Sequence, residues 1–341
     1  MMVTITRYES DVVFSDFCDE WRELLEDSSA NQIFLSCEWQ STWWEAYHPG
    51  PMWVLVLRDD QSGQWVGLAP WFLDTEADGT RVVRTIGCVD VTDYLDIVAR
   101  RGQEEAVYET LAGWLAEHTD EFDVARLCNI PQGSLALARM PQLAQARGLS
   151  ATVRLQEVCP VVKLPRRFED YFSLLDKKNR HELRRKLRRA TGLVDWYIVG
   201  PQHDLNAEMG QFMELMAASS GEKAKFLEDP QNRAFFELIV PKLASRGWLQ
   251  LSFLTVRGEA AAAYLNFEYN NRVLVYNSGL KPDTHGHLSP GIILLARLIE
   301  HAIVHGCEEF DFLRGDEAYK YDMGGQDTSV YQIELAKTPA G

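Results

Sequence analysis

The chain has 341 residues, 46% of them hydrophobic and 25% charged, with 10 Trp and 15 Phe. That apolar content excludes a disordered polymer, and at roughly 100–200 residues per domain the length points to two domains. A formal charge of −16 weighs against a general nucleic-acid coat or an anionic membrane surface as partner.

No apolar run approaches the roughly 18 residues of a membrane span. The opening stretch lacks the basic-then-apolar order of a secretory signal. Cysteines 18, 37, 88, 128, 159 and 307 show neither a CxxC nor zinc spacing, and read as thiols of a reducing, cytoplasmic compartment.

In chain order, the first clear helix is FLSCEWQSTWWEAY. Ser36 is placed to cap it, and Trp39, Trp43 and Tyr47 recur at i, i+4 and i+8. WVLVLRDD (from Trp53) and QWVGLAPWFL read as strands joined through Gly63. RVVRTIG (from Arg81), DYLDIV (from Asp93), the helical EEAVYETLAGWLAEH (from Glu104) and the strand EFDVARL (from Glu121) follow. CPVVKLP at 159–165, a short strand-like run bracketed by prolines, marks the boundary between domains at 1–160 and 161–341.

Residues 177–189, KKNRHELRRKLRR, hold eight Lys or Arg against one Glu. This local +7 leaves −23 for the rest of a chain whose total is −16. Leu183 and Leu187 give a helix spanning 176–190 a thin apolar stripe, and Arg184, Arg185, Arg188 and Arg189 cover its other faces. Two readings stand: an exposed helix pairing with acidic neighbours, or a site for a phosphate-bearing substrate, which guanidinium forks match.

The second half restates the layout of the first. Helical stretches at 205–218 and 232–245 end at Gly247, and LQLSFLTVRGEAAAAYLNFEY gives strand, Gly turn, strand. RVLVYNSG (from Arg272), the helical SPGIILLARLIEHAIVHG (from Ser289) and the strand EEFDFL then follow. Both helices lead to a Glu-Phe-Asp tripeptide, at 121–123 and 309–311. This order predicts an α/β fold of mixed sheets (an α+β arrangement), one flanked by helices in each of two similar domains.

Ser289 can cap its helix, Pro290 suits the first position, and Gly291 leaves the backbone uncovered, a start suited to a pyrophosphate. His285, His287, His301 and His305 lack the carboxylate or Cys that would complete a metal set, so no metal is expected. Beyond the last strand Arg314, Asp316, Glu317, Tyr319, Lys320 and Tyr321 gather at its carboxyl end, where open α/β sheets place ligands. Asp93, Tyr94, Leu95 and Asp96 form a counterpart cluster in the first half.

The joint pattern of FLSCEWQSTWWEAY, VGLAP, TDYLDIV, CPVVKLP, NRHELRRKLRR, LSPGIILL and FDFLRGDEAYK resembles the GCN5-related N-acetyltransferase (GNAT) superfamily. Within it the chain resembles the two-domain branch of CelD-type acetyltransferases, akin to FemAB aminoacyltransferases. The resemblance implies two tandem GNAT-like domains and transfer of an acyl group, acetyl in the simplest case, from acyl-CoA to an amine on a small or sugar-linked acceptor. It places the donor against Asn277, Ser278, Gly279 and Leu280, and against Ser289, Pro290, Gly291 and Ile292.

Asp93 or Asp316 is then the candidate base. Lys320, or a backbone amide near Ser278, is the candidate oxyanion donor, and Tyr319 the candidate acid. Tyr94, Arg184, Arg185, Arg188, Arg314 and Glu317 are candidate substrate contacts, and GEKAKFLEDPQNRAFF (from Gly221) is expected to contribute to the acceptor pocket. Pro290 removes one amide from the usual phosphate loop. FemAB-type relatives lack that loop too, take their acyl group from aminoacyl-tRNA, and carry a Lys in the place of Lys320. A tRNA-dependent transferase is thus the second reading, and a non-catalytic component of exopolysaccharide or lipid assembly the third.

Overall fold

A computed structural model of the chain describes residues 2–88, 91–281 and 286–338. It divides into two compact units, one of residues 1–157 and 328–341 and one of residues 158–327. The second expected domain ran to residue 341. Instead the chain's last strand, Gln326–Lys337, lies antiparallel to a strand of the first unit, with Val330 opposite Pro131 and Ala336 opposite Val124.

In the first unit, β1 (Val3–Tyr8) leads into the short helix α1 (Val12–Asp16), α2 (Cys18–Glu26) and α3 (Cys37–Tyr47). The Ser36 hydroxyl accepts the Trp39 amide at 3.2 Å, so α3 starts where its cap residue dictates. Trp39 and Trp43 are fully buried.

β2 (Met52–Asp59), β3 (Trp65–Thr75) and β4 (Arg81–Thr85) form an antiparallel meander, and β1 pairs with β2. Six successive buried residues open β2 and eight open β3, as expected of strands covered on both faces. DYLDIV is a buried loop rather than a strand, and only β5 (Val98–Ala99) pairs, with β3. Its peptide groups are met locally instead, Leu95 N donating to Asn129 O and the Asn129 amide to Thr92 O.

α4 (Glu104–Glu117) packs on β3 at Gly67, where a Cβ would come within 2.7 Å of Val107. β6 (Val124–Pro131) runs parallel to β4 for three pairs, from Val82 opposite Val124 to Arg84 opposite Arg126. α5 (Leu135–Ala146) and β7 (Leu149–Lys163) follow.

The cysteine expectation is corrected here. Cys18 is joined to Cys37 and Cys88 to Cys128 as disulfides, with Cα separations of 5.7 and 6.2 Å, while Cys159 and Cys307 are free. The partners are 19 and 40 residues apart and meet only through tertiary packing, so linear spacing carried no sign of them.

In the second unit, α6 (Phe168–Tyr171), the basic helix α7 (Lys177–Ala190) and β8 (Val194–Ile198) precede three helices, α8 (Leu205–Ser219), α9 (Gly221–Glu228) and α10 (Pro230–Ser245). β9 (Leu249–Val256), β10 (Glu259–Tyr269) and β11 (Arg272–Leu280) form the meander, with β8 on its edge. α11 (Pro290–Val304), β12 (Glu309–Asp311) and α12 (Ala318–Asp322) complete it, and β12 pairs antiparallel with Val161, Val162 and Lys163 of β7.

Ten residues of α11 are buried, eight of them in the same core as Tyr264, Val273, Val275 and Phe310. Each unit therefore repeats one plan: an antiparallel meander, a crossover helix, a parallel strand, and a closing antiparallel strand. The Glu-Phe-Asp tripeptides do not correspond within that plan. Glu121 and Asp123 precede β6, whereas Glu309 to Asp311 are β12 itself.

Candidate active site

β11 and β12 are parallel for three pairs, Arg272 with Glu309, Val273 with Phe310 and Leu274 with Asp311, and no pairing follows among the described residues. The cause lies in β12. After Asp311 the chain turns away, with Leu313 in the left-handed region at φ 57°, its amide held by the Asp311 carboxylate at 2.8 Å. Phe312 N and Gly315 N then donate to Pro160 O and Val158 O of β7. β11 runs on alone to Leu280, so the strands part and expose one edge of β11.

A cavity of about 330 Å³ opens beside that edge, lined by Tyr264, Ser278, Leu280, Ser289, Gly291 and Tyr319, among others. Pro290 and Ile292 also line it. Of the residues expected at the donor site, the structure brings together Ser278, Leu280, Ser289, Pro290, Gly291 and Ile292, with Tyr319 on the same wall. Gly279 faces the other way, and a Cβ there would meet Leu215 Cβ at 2.6 Å and Met216 N at 2.7 Å. Its role is to let α8 lie on the strand. Asn277 is not on the cavity wall.

Ser289 does not cap α11 as expected. It sits at the cap position with φ 56° and ψ 58°, and its side chain makes no capping bond. Ser289 lines the cavity, and the amides of Gly291 and Ile292 are first-turn donors after Pro290, which has none. Gly291 lets the helix start lie close to Leu280, whose Cδ2 would stand 2.8 Å from a Cβ there. His285 lies outside the described residues.

The turn after β12 carries the remaining groups. Tyr319 is half-buried in α12, and burial, then Tyr264 and Glu317, raise its phenol pKa above the ordinary value. It therefore stays protonated at neutral pH and fit to donate. Lys320 is 2% exposed, its ammonium donating to Leu313 O (3.2 Å), Arg314 O (2.6 Å) and Gly315 O (3.1 Å) and pairing with Glu317 at 2.8 Å. Gly315, at φ 111°, lets the chain wrap that ammonium. Asp316 is exposed, and Arg314 half-buried. Asp93 and Tyr94 belong to the first unit, in its buried loop, with exposures of 9% and 4%.

The basic helix begins at its cap, Asp176, which accepts the Asn179 amide at 2.8 Å. Arg184 stacks over Phe172 at 4.7 Å, Arg185 is held by Glu182 at 2.8 and 2.6 Å, and Arg189 donates to His287 O at 3.0 Å. Arg188 is exposed.

Sequence reasoning missed three side chains at the open edge of β11. Lys223, from the first turn of α9, donates to Ser278 O at 2.6 Å and Ser278 Oγ at 3.1 Å. Ser219 accepts the Leu280 amide at 2.8 Å, and Tyr264 lies opposite Ser278 on β10. Only the register of β11 identifies them, though GEKAKFLEDPQNRAFF had been marked as pocket-forming.

Comparison with known proteins fits this geometry. Residues 177–321 match the acetyltransferase (GNAT) domain family. The FemX crystal structure aligns over 97% of this chain and 97% of its own, at 12% identity and a TM-score of 0.68. A conserved protein of unknown function from Bacteroides thetaiotaomicron aligns over 97% and 100%, at 12% identity and a TM-score of 0.59. The C-terminal domain of a putative lysylphosphatidylglycerol synthetase from Agrobacterium fabrum aligns over 96% and 92%, at 11% identity and a TM-score of 0.55. No curated protein sequence matches.

Parted parallel strands over a helix start, in a stretch matched by that family, define an acyltransferase. The GNAT match covers residues 177–321, and the two-unit fold of the whole chain is shared with the solved structures above. No helix among the described residues is long and apolar enough to cross a membrane.

Proposed function

We propose that the chain is an N-acyltransferase whose acyl-CoA donor, acetyl-CoA in the simplest case, occupies the cavity between β11 and α11. The acceptor is an amine on a small or carbohydrate-linked molecule. The observation that carries this reading is the parting of β11 from β12 beside a cavity floored by the start of α11. The Gly291 and Ile292 amides and the positive end of the α11 dipole suit the donor's pyrophosphate, and Arg188 and Arg184 suit further phosphate or an anionic acceptor.

In the chemistry, the amine nitrogen attacks the acyl carbonyl, an oxyanion forms, and the carbon–sulfur bond then breaks. Tyr319 supplies the proton to the departing thiolate. Asp316 removes the ammonium proton, and Lys320 and Glu317 hold the turn that presents Tyr319.

A thermal-shift series with the full chain tests the reading. At 100 times Kd a ligand adds about 2.7 kcal/mol of stability, so CoA and acetyl-CoA are expected to raise Tm by several degrees. No shift with either up to millimolar concentration would remove the acyl-CoA donor.

A second reading, an aminoacyl-tRNA donor, is favoured by one observation: Pro290 stands where an ordinary phosphate loop offers an amide. Salt-sensitive retention of the protein on aminoacyl-tRNA, with no response to CoA, is the outcome it requires.

A further inference from the structure

Two lysines approach the parted strands, and their surroundings differ. Lys320 has three N–H bonds and four acceptors, the carbonyls of Leu313, Arg314 and Gly315 and the Glu317 carboxylate. Every donor it has is committed inside the protein.

Among the described residues Lys223 has two acceptors, both on Ser278, which leaves one N–H unengaged there. No carboxylate forms an ion pair with its ammonium among the described residues, and Glu317, the nearest acidic influence, pairs with Lys320. A half-buried ammonium without an ion pair is costly, because burial penalises the charged form and nothing local offsets it. Burial accordingly lowers its pKa, with only the more distant Glu317 opposing.

The position is also specific. Leu280 N points to Ser219, away from β10, so by strand alternation Ser278 O points to the same open edge. Its partner Lys223 thus stands at the edge that β12 vacates, beside a residue of the cavity wall.

We propose that Lys223 is a catalytic residue whose free N–H receives the acyl carbonyl oxygen as it becomes an oxyanion. This rests on the acyl-CoA reading above. The amine nitrogen bonds to the carbonyl carbon and the π pair moves to the oxygen facing Lys223. As the carbonyl re-forms, the carbon–sulfur bond breaks with its pair on sulfur. Sulfur takes a proton from Tyr319, and the proton of the former amine passes to the carboxylate base. The negative charge that Lys223 lacks in the resting protein is thereby supplied only along the reaction path, as differential stabilisation of the transition state requires.

The test compares CoA with S-carboxymethyl-CoA, whose carboxylate stands in for the oxyanion, by calorimetric titration of the full chain. The wild-type protein is expected to prefer the carboxymethyl compound roughly tenfold or more, the scale of one charged hydrogen bond. Lys223→Gln retains a donor for Ser278 and removes only the charge, and Lys223→Met removes both. In each the preference is expected to fall to about one while CoA affinity stays within a few-fold. Lys223→Gln also covers the case in which Lys223→Met fails to fold. If Lys223→Gln keeps the wild-type preference, the ammonium merely ties down Ser278 and the proposal fails with the acyl-CoA reading intact. If wild-type protein binds neither compound, that reading fails and this one with it.

Discussion

The carboxylate with the most altered chemistry is Asp96, in the loop after β4. It is 6% exposed, and its Oδ1 accepts the Ser134 hydroxyl at 2.9 Å and the Ile97 amide at 2.8 Å. Burial raises its pKa to about 7, against the two hydrogen bonds, which lower it. Since this value lies above the unfolded one of 3.8, the folded protein holds the proton between about pH 4 and pH 7 and unfolding releases it. The stability this contributes is present at low pH and lost as pH rises through 7, by at most about 4 kcal/mol for a shift of about three units.

Asp96→Asn keeps the Oδ1 acceptor and removes the titration. The variant is expected to melt above wild type at pH 8 and to lose that advantage at pH 5, measured by circular dichroism. Equal slopes of Tm with pH in both proteins would show that Asp96 does not titrate in this window. The sequence marked the cluster around Asp96 but not its burial, because the loop is covered by packing that residue order does not display. Tyr319 shows the same division: its place after the last strand was legible, but the burial that keeps it protonated was not.

At the scale of elements, legibility followed local chemistry. α3 begins at its capping Ser36, as read, because a cap and an amphipathic repeat are written within one turn of chain, whereas the Asp176 cap of α7 was not read from the charge run. The start of α11 was misread because the Ser-Pro-Gly signal fixes where the helix starts but not the left-handed backbone that turns Ser289 away from capping.

The basic helix shows what a charge run conceals. Eight cations read as one patch, yet Arg185 is spent on Glu182, Arg184 lies over an aromatic ring and Arg188 stays exposed. Arg184→Ala is expected to cost about 0.5–1 kcal/mol of stability through the lost ring contact. Arg188→Ala is expected to leave Tm unchanged and to weaken the acyl donor severalfold at 50 mM salt, with little effect at 500 mM, where surface charges are screened. Denaturant melts and titrations at the two salt concentrations measure both effects. A donor affinity indifferent to Arg188 at low salt would make the exposed face of α7 a solvated surface.

For the molecule as a whole, the sequence showed two sibling sheets but divided them at a single point, whereas the chain returns to its first unit at the end. That return is not local: strand Gln326–Lys337 pairs with β6 some 200 residues earlier, and no periodicity in either segment names its partner. Val330, Ile333 and Leu335 are fully buried there, and Ile333 and Leu335 belong to the core that holds Trp71, Leu127 and Ile130. Burying three such side chains is worth roughly 1.5–3 kcal/mol each, against about 5–15 kcal/mol for a whole domain. Ending the chain after Asp327 should therefore unfold the first unit while removing none of the strand pairs β8 to β12 make in the second. Limited proteolysis is expected to degrade residues 1–157 of the shortened chain and to spare a fragment near 158–327, whereas the full chain resists at both. Equal protection of residues 1–157 with and without the last strand would mean that β6 holds its place unaided.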